Sequence, residues 1–212
     1  MSKQLALYHN SSVCTGCKVC VIACKDKNNL PVGVNWRRVV QYEGGSWISD
    51  PRHKELMIPS NVFVYSLSIA CNHCENPLCL QVCPVNAINK NENGVVTINQ
   101  DLCIGCRYCE WACPYGAPQF NEEKGFMTKC DFCLDLQAKG EKPACVDACV
   151  MRAIEFGELG ELRAKYGAAN EVDPLPSADL THPALVITLH KNAHPSGSGA
   201  GSISDPLAGE MK

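Results

Sequence analysis

Apolar and polar positions alternate only in short runs, separated by long stretches with neither helical nor strand period. Gly94-Val-Val-Thr-Ile98 follows an Asn/Gly turn, and its β-branched residues predict a strand. Trp36 to Tyr42 and Asn61 to Ile69 predict two more, with Glu43-Gly-Gly-Ser46 as a turn closing the first. Ala153-Ile-Glu-Phe156 predicts another strand, Leu159 to Tyr166 a short helix, and Ala184 to Leu189 a last strand. Pro174 to Pro183 is linker-like. Asn192 to Lys212 is rich in Gly, Ser, Ala and Pro; alone it has too little apolar surface to offset its ordering entropy, so it is either disordered or ordered along a partner.

Such elements do not make a conventional core, and only 7% of the 212 residues are aromatic. A net charge of -3 gives no basic balance for nucleic acid. The most apolar stretches, Val62 to Ala70 and Ala184 to Leu189, fall short of the roughly 18–20 apolar residues that cross a bilayer. The first ten residues lack an apolar signal core, so no secretory signal is expected. The outlier is cysteine, at 16 residues, which makes something other than hydrophobic burial the organiser of the interior.

The cysteines form four quartets with none left over: Cys14, Cys17, Cys20, Cys24; Cys71, Cys74, Cys79, Cys83; Cys103, Cys106, Cys109, Cys113; and Cys130, Cys133, Cys145, Cys149. Quartets one and three have the spacing Cys-x2-Cys-x2-Cys-x3-Cys of bacterial ferredoxins, whose fourth cysteine ligates the other cluster of a pair. Three thiolates on one curled loop reach three corners of a cubane, and the last turns toward a neighbour. Quartets two and four relax only the middle gap. A single zinc ion is crowded by four cysteines within eleven residues. Disulfides suit a secreted scaffold, which the N-terminus does not suggest. Redox-active thiols need one or two such motifs rather than eight pairs. Four [4Fe–4S] clusters are therefore expected.

The fourth-ligand rule also predicts the ligand sets. Quartets two and three are adjacent and joined by a strand, which leaves quartets one and four to each other. Cluster 1 is expected on Cys14, Cys17, Cys20 and Cys149, and cluster 2 on Cys24, Cys130, Cys133 and Cys145. Cluster 3 falls to Cys71, Cys74, Cys79 and Cys113, and cluster 4 to Cys83, Cys103, Cys106 and Cys109. Pairing one with two and three with four is the alternative. The expected fold is α+β: two nested ferredoxin-like two-cluster units with small antiparallel strands, short helices and long connecting loops. The outer unit takes 1–30 and 125–165, the inner unit 71–124. An insertion at 31–70 is expected to contact a partner, and 166–212 forms an extended C-terminal tail.

Four fully ligated cubanes in a row leave no open iron, which favours electron transfer over catalysis; no catalytic residue is assigned. Lys18, Arg107, Lys129 and Arg152, near ligands, are candidates for tuning potentials, although for any one of them a solvated surface charge is the favoured reading. His73, between Cys71 and Cys74, is expected beside a cluster rather than on it. Tyr108 and Trp111 are expected to pack over a cluster as a lid. A cluster-bearing sensor and a zinc-binding structural protein are the competing functions; no effector module supports the first, and visible absorbance decides the second.

Beyond spacing, Cys14-Thr-Gly-Cys-Lys-Val-Cys20, Ala23-Cys-Lys-Asp26, Ser68-Ile-Ala-Cys-Asn-His-Cys-Glu75, Cys103-Ile-Gly-Cys-Arg-Tyr-Cys109, Ala112-Cys-Pro-Tyr-Gly-Ala-Pro-Gln119 and Met127-Thr-Lys-Cys-Asp131 make the chain resemble the iron–sulfur (B) subunit of the anaerobic dimethyl sulfoxide reductase family, from about Ser12 through Tyr166. The resemblance implies a heterotrimer: a molybdopterin-containing catalytic subunit, this electron-transfer subunit, and a quinol-oxidising membrane anchor that some members fuse or lack. By the resemblance dimethyl sulfoxide and other S- or N-oxides fit best as the terminal substrate, with arsenate, selenate, tetrathionate, polysulfide or formate as alternatives. The implied location is peripheral to the cytoplasmic membrane, on the periplasmic side through a partner's twin-arginine signal, with the cytoplasmic face as alternative. Two departures count. Relatives often carry Cys-Pro at the end of quartet four, where this chain has Cys149-Val150, so a different local turn is expected. Nitrate reductase relatives replace one quartet-three cysteine by tryptophan and hold a three-iron cluster, whereas Cys106 is present here. Formate dehydrogenase relatives carry a C-terminal membrane helix, absent from this chain.

Overall fold

The structure is a computed structural model and describes residues 3–204; the first two residues and 205–212, the end of the expected tail, lie outside the described residues. The α+β class holds, with a pseudo-repeat inside it. In the inner half, β4 (Ile88–Lys90) pairs antiparallel with β5 (Val96–Ile98), flanked by α2 (Leu78–Gln81) and α3 (Tyr108–Ala112), which pack on each other. In the outer half, β1 (Leu5–Asn10) pairs antiparallel with β8 (Ile154–Glu158), and α1 (Val19–Lys27) packs on α5 (Ala144–Asp147). A second small hairpin, β6 (Gln119–Asn121) with β7 (Phe126–Thr128), leads into α4 (Leu134–Gln137).

The repeat is written in the chain. Cys83-Pro-Val-Asn-Ala-Ile88 enters β4 as Cys149-Val-Met-Arg-Ala-Ile154 enters β8. The outer half differs in what surrounds it. β1 is the middle strand of a three-stranded sheet, with β9 (Leu185–Thr188) parallel on its other side, a departure from the all-antiparallel expectation. Ala6 and Tyr8 face Leu159, Leu162 and Val186, where α6 (Leu159–Tyr166) covers the sheet, while Leu7 faces the main core. Both faces of β1 are thus buried, which removes the alternation a half-exposed strand would show. No strand is legible there for that reason.

Between the halves runs a long ribbon, β2 (Arg38–Ser49) with β3 (Met57–Ile69). The expected turn at Glu43–Ser46 does not exist. The strand continues through it with a bulge at Gly44/Ser46, and the chain reverses at 50–56, where Asp50 Oδ1 accepts the backbone N–H of Arg52. The glycines serve close approach instead. A Cβ on Gly44 would stand 2.6 Å from the Ala200 carbonyl, so the tail lies on bare backbone, and β10 (Ser202–Ile203) adds to β2. Residues 192–204 are thus ordered on this chain itself, pinned where Asp173 Oδ1 accepts the Gly197 N–H at 2.8 Å. The linker-like 174–183 is also packed: Leu175, Ala178 and Thr181 are buried, and the backbones of 75–76 hydrogen-bond to 181–182.

Candidate metal centres

Each quartet opens on Cys-x-x-Cys, and in each the residue before the second cysteine has a left-handed backbone: Gly16, His73, Gly105 and Phe132. That twist curls the loop so that successive thiols turn inward. At Gly105 a Cβ would come within 2.5 Å of the Gly125 carbonyl, which excludes any side chain. Quartets two and four place His73 and Phe132 there, at a cost of about 1–3 kcal/mol each in backbone strain. Their rings recover contact by packing on each other, with centroids 3.7 Å apart. The third cysteine of every quartet lies in a short helix: Cys20 in α1, Cys79 in α2, Cys109 in α3 and Cys145 in α5.

The fourth cysteines share a second device. Asn86, Gly116 and Arg152, three residues after Cys83, Cys113 and Cys149, are left-handed. This brings the next N–H onto the sulfur: Ala87 to Cys83 at 3.2 Å, Ala117 to Cys113 at 3.5 Å, Ala153 to Cys149 at 3.2 Å. Cys149 keeps this turn without the following proline, so the departure at Val150 changes no geometry. Cys24 sits inside α1 and has no such turn; the Asn28 side-chain amide takes the same place at 3.7 Å.

Four spaces result, each bordered by four cysteines. One is walled by Cys14, Cys17, Cys20 and Cys149, a second by Cys24, Cys130, Cys133 and Cys145. A third is walled by Cys71, Cys74, Cys79 and Cys113, and the last by Cys83, Cys103, Cys106 and Cys109. Counting space open to solvent, they span about 310, 330, 380 and 300 Å³ in that order. Neighbours share an element. Cys20 and Cys24 lie on α1, Phe132 of the second space packs on His73 of the third, and Cys109 and Cys113 run from α3. The four spaces are therefore linked each to the next.

The chemistry of the walls fits iron–sulfur cubanes. All sixteen cysteines are free thiols, and among the described residues no three His, Cys, Asp or Glu converge on a single metal ion. Burial pushes the Cys24, Cys74 and Cys109 thiols up to about 12, so without metal they stay protonated and a bound metal would be what holds them as thiolates. Arg37, Arg38 and Lys129 are buried nonetheless, and among the described residues none meets a carboxylate. A buried cation needs a buried anion, and thiolate-ligated clusters supply it. Asn72 Nδ2, His73 Nε2 and Arg37 Nη2 are buried donors on these walls without a protein acceptor.

Among the residues singled out for tuning, only Lys129 is buried; its ammonium bonds to the Val96 and Cys130 carbonyls. Arg107 is exposed, paired with Glu110 and lying over Phe120. Arg152 is exposed and bonds to the carbonyls of Asp147 and Cys149. Lys18 is half-buried, left-handed just ahead of α1. His73 lies wholly buried on the third wall, with Nδ1 accepting the Val96 N–H at 2.9 Å, which leaves its proton on Nε2. Tyr108 and Trp111 do not form a lid. They stand on the outer face of α3, largely exposed, while Val85, Ile98, Ile104 and Met127 line that space. Sequence reasoning missed Arg37, Arg38 and Thr181: two arginines opening a strand read as exposed, and a threonine in a linker carries no signal.

Comparison with known proteins points to the same cofactor chemistry. Residues 62–159 match the family described as 4Fe-4S dicluster domain. The B subunit of the anaerobic dimethyl sulfoxide reductase of Escherichia coli (strain K12) is 50% identical over 206 residues, 97% of this chain and 98% of that protein. The B subunit of the polysulfide reductase of Wolinella succinogenes is 36% identical, covering 90% of this chain and 97% of its own length. Thiosulfate reductase electron transfer subunit PhsB of Salmonella typhi is 38% identical over 76% of this chain and 79% of its own. The likeness extends beyond Tyr166 to nearly the whole chain. Ferredoxin-like cysteine loops, buried unpaired cations and full-length identity converge, and the chain belongs to the iron–sulfur subunits of the dimethyl sulfoxide reductase family, whose 4Fe–4S clusters relay electrons.

Proposed function

We propose that this chain carries four [4Fe–4S] clusters on the four cysteine sets that wall the four spaces, and passes electrons along the row they form. The observation that carries the reading is that each space is bordered by four cysteines, three from one motif and the last from its neighbour. Residues 1–30 with 125–165 make the outer unit and 71–124 the inner one. The 31–70 ribbon serves contact with a partner, supported by exposed Trp47, Ile48, Met57 and Val62 along it.

The partner at one end is a molybdopterin-containing catalytic subunit, at the other a quinol-oxidising membrane anchor. Both ends of the row carry exposed apolar side chains suited to docking: Val13, Val150 and Met151 beside the Cys14 set, Leu102, Ile104 and Trp111 beside the Cys103 set. No described helix is long and apolar enough to cross a membrane, so attachment through a partner fits. We assign the complex to the periplasmic face, exported folded with a partner's twin-arginine signal. Dimethyl sulfoxide or a related S- or N-oxide is favoured as terminal acceptor, because identity is higher to the B subunit of that reductase than to the corresponding subunits of polysulfide or thiosulfate reductase.

The test is anaerobic purification with metal analysis. About sixteen irons per polypeptide are expected, with a broad visible band bleached by dithionite. Replacing one cysteine of any set by serine should remove or convert one cluster and leave three. A colourless protein with stoichiometric zinc would sink the reading.

A further inference from the structure

Arg37 precedes β2, in the segment that joins the ribbon to the outer half. It is only 2% exposed. Its Nη1 donates to the Ser68 carbonyl at 3.2 Å and to Ser68 Oγ at 3.0 Å. Because that hydroxyl accepts from the guanidinium, its own proton is free for Cys20 Sγ, 3.2 Å away. Arg37 also walls the space of Cys24, Cys130, Cys133 and Cys145, where its Nη2 has no protein acceptor. One guanidinium therefore faces two cysteine sets, one directly and one through a hydroxyl. Its proximity to Cys145, Cys20, Cys130 and Cys24 raises its affinity for the proton above that of an ordinary arginine despite burial. His9, beside it, is held neutral by burial, its pKa lowered to about 4, and adds no charge at neutral pH.

The inner half has no equivalent. Arg38 donates to the Tyr115 carbonyl and lies near Cys113 alone, and Lys129 spends its ammonium on two carbonyls. Arg38 leaves its Nε unpaired and Lys129 lies near Cys79, so both act on the single set of Cys71, Cys74, Cys79 and Cys113, and among the described residues no cation of the inner half faces two sets.

We propose that Arg37 is the fixed counter-charge shared by the two clusters of the outer unit, favouring the extra negative charge each acquires on reduction and so raising both midpoint potentials. This rests on the four-cluster reading above. Reduction adds one electron and no proton, since the guanidinium is protonated throughout. Burial keeps this charge from salt screening, which sets it apart from exposed Arg107 and Arg152. Arg37 is a positioning residue, acting through the charge it holds between two cages.

The experiment is a redox titration of the full-length protein, anaerobically isolated and followed by electron paramagnetic resonance, with iron counted in every variant. Transitions of the outer unit are identified by their loss in Cys14→Ser and Cys133→Ser. Arg37→Gln should keep all four clusters while the outer pair's reduced-to-oxidised ratio at fixed potential falls at least tenfold, about 59 mV for a one-electron couple. The inner pair should stay in place, and the shift should persist at high salt. Arg37→Lys should restore most of it. Full iron with no transition moved, or with all four moved together, overturns the proposal. If Arg37→Gln loses its clusters, Arg37→Lys decides: full iron with near-native potentials supports a charge role, and iron loss overturns it in favour of shape. A wild-type protein with far fewer than about sixteen irons would instead defeat the four-cluster reading itself.

Discussion

The inner and outer halves solve one geometric problem with opposite resources. The inner half builds its two cysteine sets from residues 71–113, with hairpins of three-residue strands and helices of four and five residues. The outer half gathers its sets from Cys14 to Cys149 and closes only when β1 inserts between β8 and β9. Locality has a consequence for shielding. In the outer half six of eight cysteines are buried, whereas the inner half buries only Cys71, Cys79 and Cys109. Long-range pairing costs loop-closure entropy, and in return it surrounds the sets with the β1 sheet and the β2–β3 ribbon. Each half nonetheless supplies one end of the row and one of its middle spaces.

The sharpest way to break this contrast is to remove β1. Deleting residues 1–10 should abolish the outer sets and leave the inner ones, so iron falls from about sixteen to about eight per polypeptide. Loss of all iron would show that the inner half does not stand alone. The next largest effect is acid. His9 is buried on β1 with its pKa lowered to about 4, against Ser66 O at 3.2 Å. A base whose folded pKa is depressed stabilises the fold above its unfolded value near 6.5, and this is lost as pH falls through the window toward 4. The loss is on the order of 3 kcal/mol. His9→Gln should flatten the pH dependence of outer-cluster loss across that window and leave inner-cluster loss unchanged.

A smaller effect separates the two glycine loops. Gly105→Ala meets a backbone carbonyl, while Gly16→Ala meets the Ser66 side-chain hydroxyl at 2.8 Å. Both carry left-handed strain of about 1–3 kcal/mol, and the inner variant should be the less stable in denaturant because backbone gives way less easily. The smallest effect is at Lys27–Asp135, an exposed ion pair tying α1 to α4 at 2.5 Å. Asp135→Asn should cost about 0.2–1 kcal/mol and fade with added salt.

Much of this was legible in the cysteines alone, because their spacing states how far each thiol can reach. The sequence-predicted groupings are the groupings that border the four spaces. The strand ending at Ile98 and helix 159–166 were legible from β-branching and period. Other features were not. β1 is buried on both faces and loses its alternation. Gly44 and Gly45 signal a turn yet serve a bulge and the passage of residue 200. Arg37 and Arg38 look like surface charges because their partners are thiols distant in the sequence. Tyr108 and Trp111 look like a lid because adjacency in sequence says nothing about which side of α3 faces the cluster.

The placement of β1 also fixes a timetable. During synthesis the first strand leaves the ribosome long before residues 154–158 and 185–188, the edges it pairs with. Every cysteine of the inner half has been synthesised by residue 113, before Cys130, Cys133, Cys145 and Cys149. The pairing that closes β1 therefore waits for strands made much later in synthesis.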